Sequence, residues 1–171
     1  MILGMSVSTF TAVHVVISLI GIFSGLVVLL GMFKSKKLEG CTAVFLATTI
    51  LTSVTGFMLP ADHLLPSHVV GAISLVVLAV ALFALYVNWL AGFWRWLYVV
   101  TAVIALYLNV FVLIAQSFLK IPALHALAPT GSEPPFKITQ LVVLALFICF
   151  GIIAVRSFRP AAQASAVKAA A

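Results

Sequence analysis

Residues 10–40 read FTAVHVVISLIGIFSGLVVLLGMFKSKKLEG. From Phe10 to Phe33 there is no Asp, Glu, Lys or Arg, and then Lys34, Lys36 and Lys37 arrive together. The hydrocarbon core of a bilayer is about 30 Å thick, and a helix advances about 1.5 Å per residue, so a crossing helix needs about 20 mostly apolar residues. This stretch has that length and ends on a polar stop. It is apolar on every side, whereas a strand of a membrane barrel alternates apolar and polar residues over about 10 positions.

The same pattern recurs outward from it. Thr42–Leu59, Ser67–Leu90, Leu97–Leu119 and Ile138–Val155 carry no charge. Five transmembrane helices are therefore expected, at about 10–33, 42–59, 67–90, 97–119 and 138–155. The breaks carry turn chemistry: a polar run closing on Gly40, and Pro60 to Pro66 with a proline at each end. Residues 1–159 form one transmembrane domain, and 160–171 form a short Ala-rich tail.

Composition agrees with this. Of 171 residues, 65% are hydrophobic and 7% charged, against about 45–50% and about 25% in soluble domains. That excludes a soluble globular domain, a disordered chain and a secreted disulfide scaffold. The net charge of +6 comes from scarce acids, not from a dense basic patch, which argues against nucleic-acid binding. The bilayer is the expected partner, with further copies of the chain or a larger membrane complex beside it.

Orientation follows from the cations. One side of a five-span chain holds Lys34, Lys36, Lys37, Arg95, Arg156, Arg159 and Lys168, seven of the nine Lys and Arg. Positively charged loops stay in the cytoplasm, so the N-terminus is expected outside a bacterial inner (plasma) membrane and the C-terminus inside. Trp89, Trp94, Trp96 and Tyr98 flank Arg95 as an aromatic belt should. No cation precedes the first apolar run, so that run is read as a permanent helix, not a cleaved signal. Cys41 and Cys149 have no CxxC spacing and are read as packing residues.

Lipid gives helices no hydrophobic reason to associate, so packing faces are sought as stripes of small and polar residues. Span 1 offers His14, Ser18, Gly21 and Gly25, the last two a GxxxG. Span 2 offers Thr48, Thr52, Thr55 and Gly56, and span 4 offers Thr101, Ala105, Asn109 and Gln116. Span 3 places Ser67, Ser74, Ala81 and Asn88 seven apart, with Gly71 between the first two. Span 5 shows no clean stripe. The expected architecture is an all-α polytopic membrane protein: a four-helix bundle of spans 1–4 with a peripheral fifth helix.

One end of that bundle collects unusual polarity. His14, His63, His68 and His125, with Asp62, Glu133 and Gln116, all fall toward the outer side. An ionisable residue within a span is a functional-site candidate by default. His14 and His68 begin helices that run the same way, and Gly21 and Gly71 would leave room near them for a flat macrocycle. Two histidines so placed suit the axial positions of a haem b, or the polar head of a quinone, with Asn109 and Gln116 lining the pocket. The competing reading is a structural His14 that hydrogen-bonds across helices. Asp62, His63 and His68 offer ligand types suited to Zn or Cu, against a reading in which Asp62 caps a turn among wet headgroups. The loop from Lys120 to Lys137, with Pro122 opening a short interfacial helix, is expected to be either a lid over this mouth or a passive connector.

No P-loop, nucleophile elbow, HExxH or dinucleotide fingerprint occurs in the sequence. Three functional classes remain: a haem- or quinone-binding redox module, an accessory subunit held in a complex by the Gly21/Gly25 face, and a small-solute transporter.

Overall fold

A computed structural model describes residues 2–60 and 66–160. The helices run in the order α1 (Val7–Phe33), α2 (Glu39–Met58), α3 (Pro66–Leu82), a π-helical turn at Phe83–Val87, α4 (Phe93–Lys120), α5 (Pro122–His125) and α6 (Pro134–Ser157). Five segments among the described residues are long and apolar enough to cross a membrane: α1, α2, α3 with its π turn, α4 and α6. The chain is an all-α polytopic membrane protein.

Three of the five spanning helices, α2, α4 and α6, take in charged residues at their ends, while α1 and the third span lie inside charge-free sequence. Local backbone chemistry fixes two of the starts. Ser6 Oγ accepts from the Thr9 amide at 3.1 Å and starts α1. Pro134 occupies the first turn of α6, where a missing N–H costs nothing. Glu39, Arg95, Lys120, Lys137 and Arg156 all lie in terminal turns, where long side chains reach the headgroup layer.

Helix α1 packs on α2, α2 on α3, α3 on α4, and α4 back on α1. Helix α6 lies against α4 and α1 from outside that ring. Its most apolar window is 17% buried, against 28–39% in the other four spans, which makes it the peripheral one. One end of the molecule carries His14, Met58 and Lys120, and is called here the His14 end. The other carries the 34–38 and 88–92 connections and Phe158, and is called the Arg95 end.

The core is lopsided. Val28, Leu29 and Met32 of α1 meet Phe45 and Leu46 of α2, Leu78 and Leu85 of the third span, and Val99 to Leu106 of α4. All of these lie toward the Arg95 end, where small residues such as Ala81, Ala84, Ala102 and Ala105 let the helices close together.

The third span does not keep its heptad to the end. Asn88 donates its backbone N–H to Phe83 O at 3.1 Å, the five-residue step of a π turn. An extra residue in a turn rotates later positions by about 100°, so Asn88 leaves the 67–74–81 stripe. It acts as a cap instead, its side-chain amide also donating to Phe83 O at 3.3 Å. Trp89, Leu90 and Gly92 then turn through positive φ to start α4.

Two ties fasten α6 at the Arg95 end. Arg95 Nη1 donates to Val155 O at 3.0 Å and Phe158 O at 2.6 Å. The Arg159 amide donates to Ser35 Oγ at 2.8 Å.

At the other end, the 126–133 turn is organised by Glu133. Its carboxylate accepts from Thr130 N at 3.0 Å, Thr130 Oγ1 at 2.9 Å and Ser132 N at 3.0 Å. Desolvation pushes its pKa upward, but hydrogen bonds from Thr130 and from backbone amides outweigh it and hold the carboxyl below its ordinary 4.5. A depressed folded pKa means that this group's contribution to the turn is complete above 4.5 and is lost as pH falls through the lowered value. The Thr130 amide NMR shift is therefore expected to titrate with a midpoint below 4.5, and a midpoint at or above that value would contradict the assignment.

Candidate functional site

The half of the bundle that the core does not fill holds a cavity of about 310 Å³, bounded by α1, α2, α3 and α4 at the His14 end. His14, His68, Asn109 and Gln116 all line it, and so do Ser18, Gly71 and Ser74. With Thr52 and Ser53 of α2, polar residues from four spans thus meet in one place. Gly21 and Gly25 lie deeper in α1 and do not line it.

His14 sits two turns into α1. Its Nδ1 lies 2.7 Å from Thr55 Oγ1 on α2. The Thr55 hydroxyl has one proton, and it points to Leu51 O at 2.6 Å. The hydroxyl therefore accepts from His14, which places the ring proton on Nδ1 and leaves Nε2 as an acceptor. The ring packs beside Gly56, where a Cβ would stand in ordinary contact at 3.6 Å from His14 Cε1. A turn further along, Ser18 Oγ bonds back to His14 O at 2.7 Å. Most of the Thr-rich face of α2 behaves in the same local way, Ser53 bonding to Thr49 O at 3.0 Å and Thr48 to Val44 O at 2.7 Å.

Asn109 is the deepest polar group of α4. It donates Nδ2 to Thr49 Oγ1 at 3.1 Å, a buried bond between helices. Such bonds contribute on average about 0.6 kcal/mol in membrane proteins. Gln116 stands two turns nearer the mouth, half-buried. Two further hydroxyls of lining residues, Thr52 Oγ1 and Ser74 Oγ, are buried and hydrogen-bond to no described residue. An unmet buried hydroxyl costs about 1–3 kcal/mol, so both groups weaken the packing of this half of the bundle.

His68 stacks on Phe57, ring centroids 5.6 Å apart and planes 13° from parallel. Gly71 provides the seat for that phenylalanine: a Cβ there would stand 3.3 Å from Phe57 Cε2. Space at Gly21 is likewise taken, by Thr48 Oγ1 at 3.1 Å and Thr49 Oγ1 at 3.4 Å from a built Cβ. The expectation that open space lies directly beside Gly21 and Gly71 is corrected on that ground. The expectation that the Gly21/Gly25 face holds a partner subunit is corrected too, because both glycines are buried against α2 and α4 of the same chain.

Asp62 and His63, the other members of the expected metal site, lie outside the described residues. Among the described residues no three His, Cys, Asp or Glu side chains form a metal-binding group. Of the 121–137 segment, Ile121 lines the cavity, and α5 packs on the end of α4. Phe57 and Lys120 are lining residues that sequence reasoning missed. Lys120 was visible as a lone cation at a span end. Phe57 had no signal, being one aromatic residue in an apolar run.

Fold and site together define a helical membrane protein with an internal cavity, closed by core packing at one end and lined with amide, imidazole and hydroxyl groups toward the other. No protein-family model, curated protein or solved structure matches the chain.

Proposed function

We propose that this is a small plasma-membrane module that binds a quinone-class molecule, a flat head with two carbonyl or hydroxyl oxygens and an apolar tail, as part of an electron-transfer system. The observation that carries this reading is the convergence of His14, His68, Asn109 and Gln116 on one cavity that also holds the unpaired hydroxyls of Thr52 and Ser74. The Phe57–His68 stack offers a flat wall for a ring. Amide N–H groups of Asn109 or Gln116 and the two hydroxyls can donate to quinone carbonyls. His14 Nε2 can accept from a quinol hydroxyl. Leu19, Ile22 and Val112 supply apolar lining for a tail.

A quinone is preferred over haem b because the spaces beside Gly21 and Gly71 are occupied by side chains. A blind pocket is preferred over a transport path because Phe45, Leu46, Leu78 and Leu106 pack the bundle toward the Arg95 end. By the distribution of cations, the cavity opens toward the outside of a bacterial inner membrane, with the Arg95 end in the cytoplasm.

The test is a titration of the purified protein in mild detergent with decylubiquinone, read as the shift in unfolding temperature, beside an absorption spectrum. Saturable stabilisation is expected, with affinity lowered about tenfold or more in His14→Ala and Ser74→Val, since each removes a buried hydrogen-bonding group. Binding that ignores both substitutions would sink the proposal. A Soret band in the purified protein would replace it with the haem reading.

A further inference from the structure

A second recess lies on the opposite face of α4. Residues 96–107 of α4 and 144–156 of α6 enclose a slot of about 380 Å³. Cavity positions such as Asn109 and Gln116 and slot positions such as Trp96 and Tyr107 stand roughly 180° apart around α4, at 100° per residue. The slot is apolar along its length. Leu144, Phe147, Ile148 and Ile152 line it from α6. Its floor is made by Gly151, where a Cβ would stand 3.7 Å from Val103 Cγ1.

Its length and its end are informative. From Leu144 to Arg156 α6 rises about 18 Å, close to the depth of one leaflet, about 15 Å. The slot ends on Trp96 and Arg156, and both are exposed. Arg95 beside them is already committed to the carbonyls of Val155 and Phe158. Glu39, the described acid at this end, is paired with Lys37 at 3.1 Å. Arg156 is exposed and has no hydrogen bond or ion pair with any described residue, and Lys34, Lys36 and Arg159 belong to the same end of the molecule.

We propose that this slot is a binding site for one anionic glycerophospholipid. An acyl chain lies between α4 and α6, the phosphate rests on Arg156, and Trp96 sits at the level of the ester groups. Two observations select a lipid over a second copy of the chain. The floor of the slot is the α4–α6 contact itself, so a helix about 10–12 Å across cannot enter while a single hydrocarbon chain can. The charge at its end complements a phosphate. The site is separate from the cavity, and either proposal can fail alone.

The experiment is native mass spectrometry of the full chain, delipidated in detergent and titrated with dioleoyl phosphatidylglycerol or dioleoyl phosphatidylcholine. A one-to-one adduct is expected, with the anionic lipid bound about tenfold or more tightly. Arg156→Gln should bring the anionic lipid down to the level of the zwitterionic one, while Lys36→Gln leaves the preference intact. Gly151→Leu should fill the slot and abolish both adducts, and Ile152→Trp serves the same purpose should Gly151→Leu not fold. Equal binding of the two lipids by the wild type, a preference that survives Arg156→Gln, or a protein dimer in place of a lipid adduct would overturn the proposal.

Discussion

Gly25→Ala is expected to destabilise the bundle by about 1–3 kcal/mol, the usual range for forcing a methyl group into a packed core. The added Cβ would stand 2.6 Å from Leu106 Cδ1 and 2.8 and 2.9 Å from two ring atoms of Phe45. Side-chain ends can often swing away, but Phe45 and Leu106 are each 1% exposed and have nowhere to go. The backbone of α1 must then retreat from α2 and α4 together. Gly40→Ala is the matched control. It lies in the first turn of α2, a Cβ there meets nothing within 4 Å, and alanine favours helix by up to about 1 kcal/mol. Reversible unfolding in mixed micelles compares them. If the two variants unfold at the same point, the close approach at Gly25 does not hold the ring together.

Arg95→Met is expected to cost about 2–3 kcal/mol, the loss of two charge-assisted hydrogen bonds with part of their carbonyl partners left unmet. The guanidinium binds the carbonyls of Val155 and Phe158 at the C-terminal end of α6, where helix carbonyls have no partners of their own and the helix dipole favours a cation. Lysine should restore only part of the stability, because the two hydrogens of the planar Nη1 are held in fixed directions toward the two carbonyls, whereas an ammonium is a more strongly hydrated point charge. The loss should appear first as release of α6: a cysteine placed at Ile152 and labelled with a spin probe would gain mobility relative to Thr48 on α2. Unchanged mobility and stability in Arg95→Met would mean that α6 is held by its apolar face alone.

The spans were legible because charge is scarce, so each cluster of charges marks a break. Their ends were less so. Ser6 fixes the start of α1 inside charge-free sequence, and Pro134 starts α6 ahead of Lys137, and a count of charges registers neither. The π turn at Phe83–Val87 was invisible, since its residues are as apolar as their neighbours and its cause lies in the register of the chain. The polar cavity residues stood out because amides and imidazoles are expensive in a membrane and seldom occur there without reason. Their surroundings were opaque. A glycine in a sequence marks a close approach without saying what approaches, and at Gly71 it is Phe57 that takes the space. Arg95 was read as a marker of topology because its partners are backbone carbonyls, which leave no trace in residue type.

The contact of Arg159 with Ser35 joins positions separated by 124 residues, and that of Arg95 with Phe158 joins positions separated by 63. A chain is made from its N-terminus, and early segments settle first. The guanidinium of Arg95 and the hydroxyl of Ser35 therefore wait in headgroup water until α6 has been synthesised and inserted. Residues 155–159 act as a latch that fastens the α1–α2 connection and the start of α4 to the end of α6.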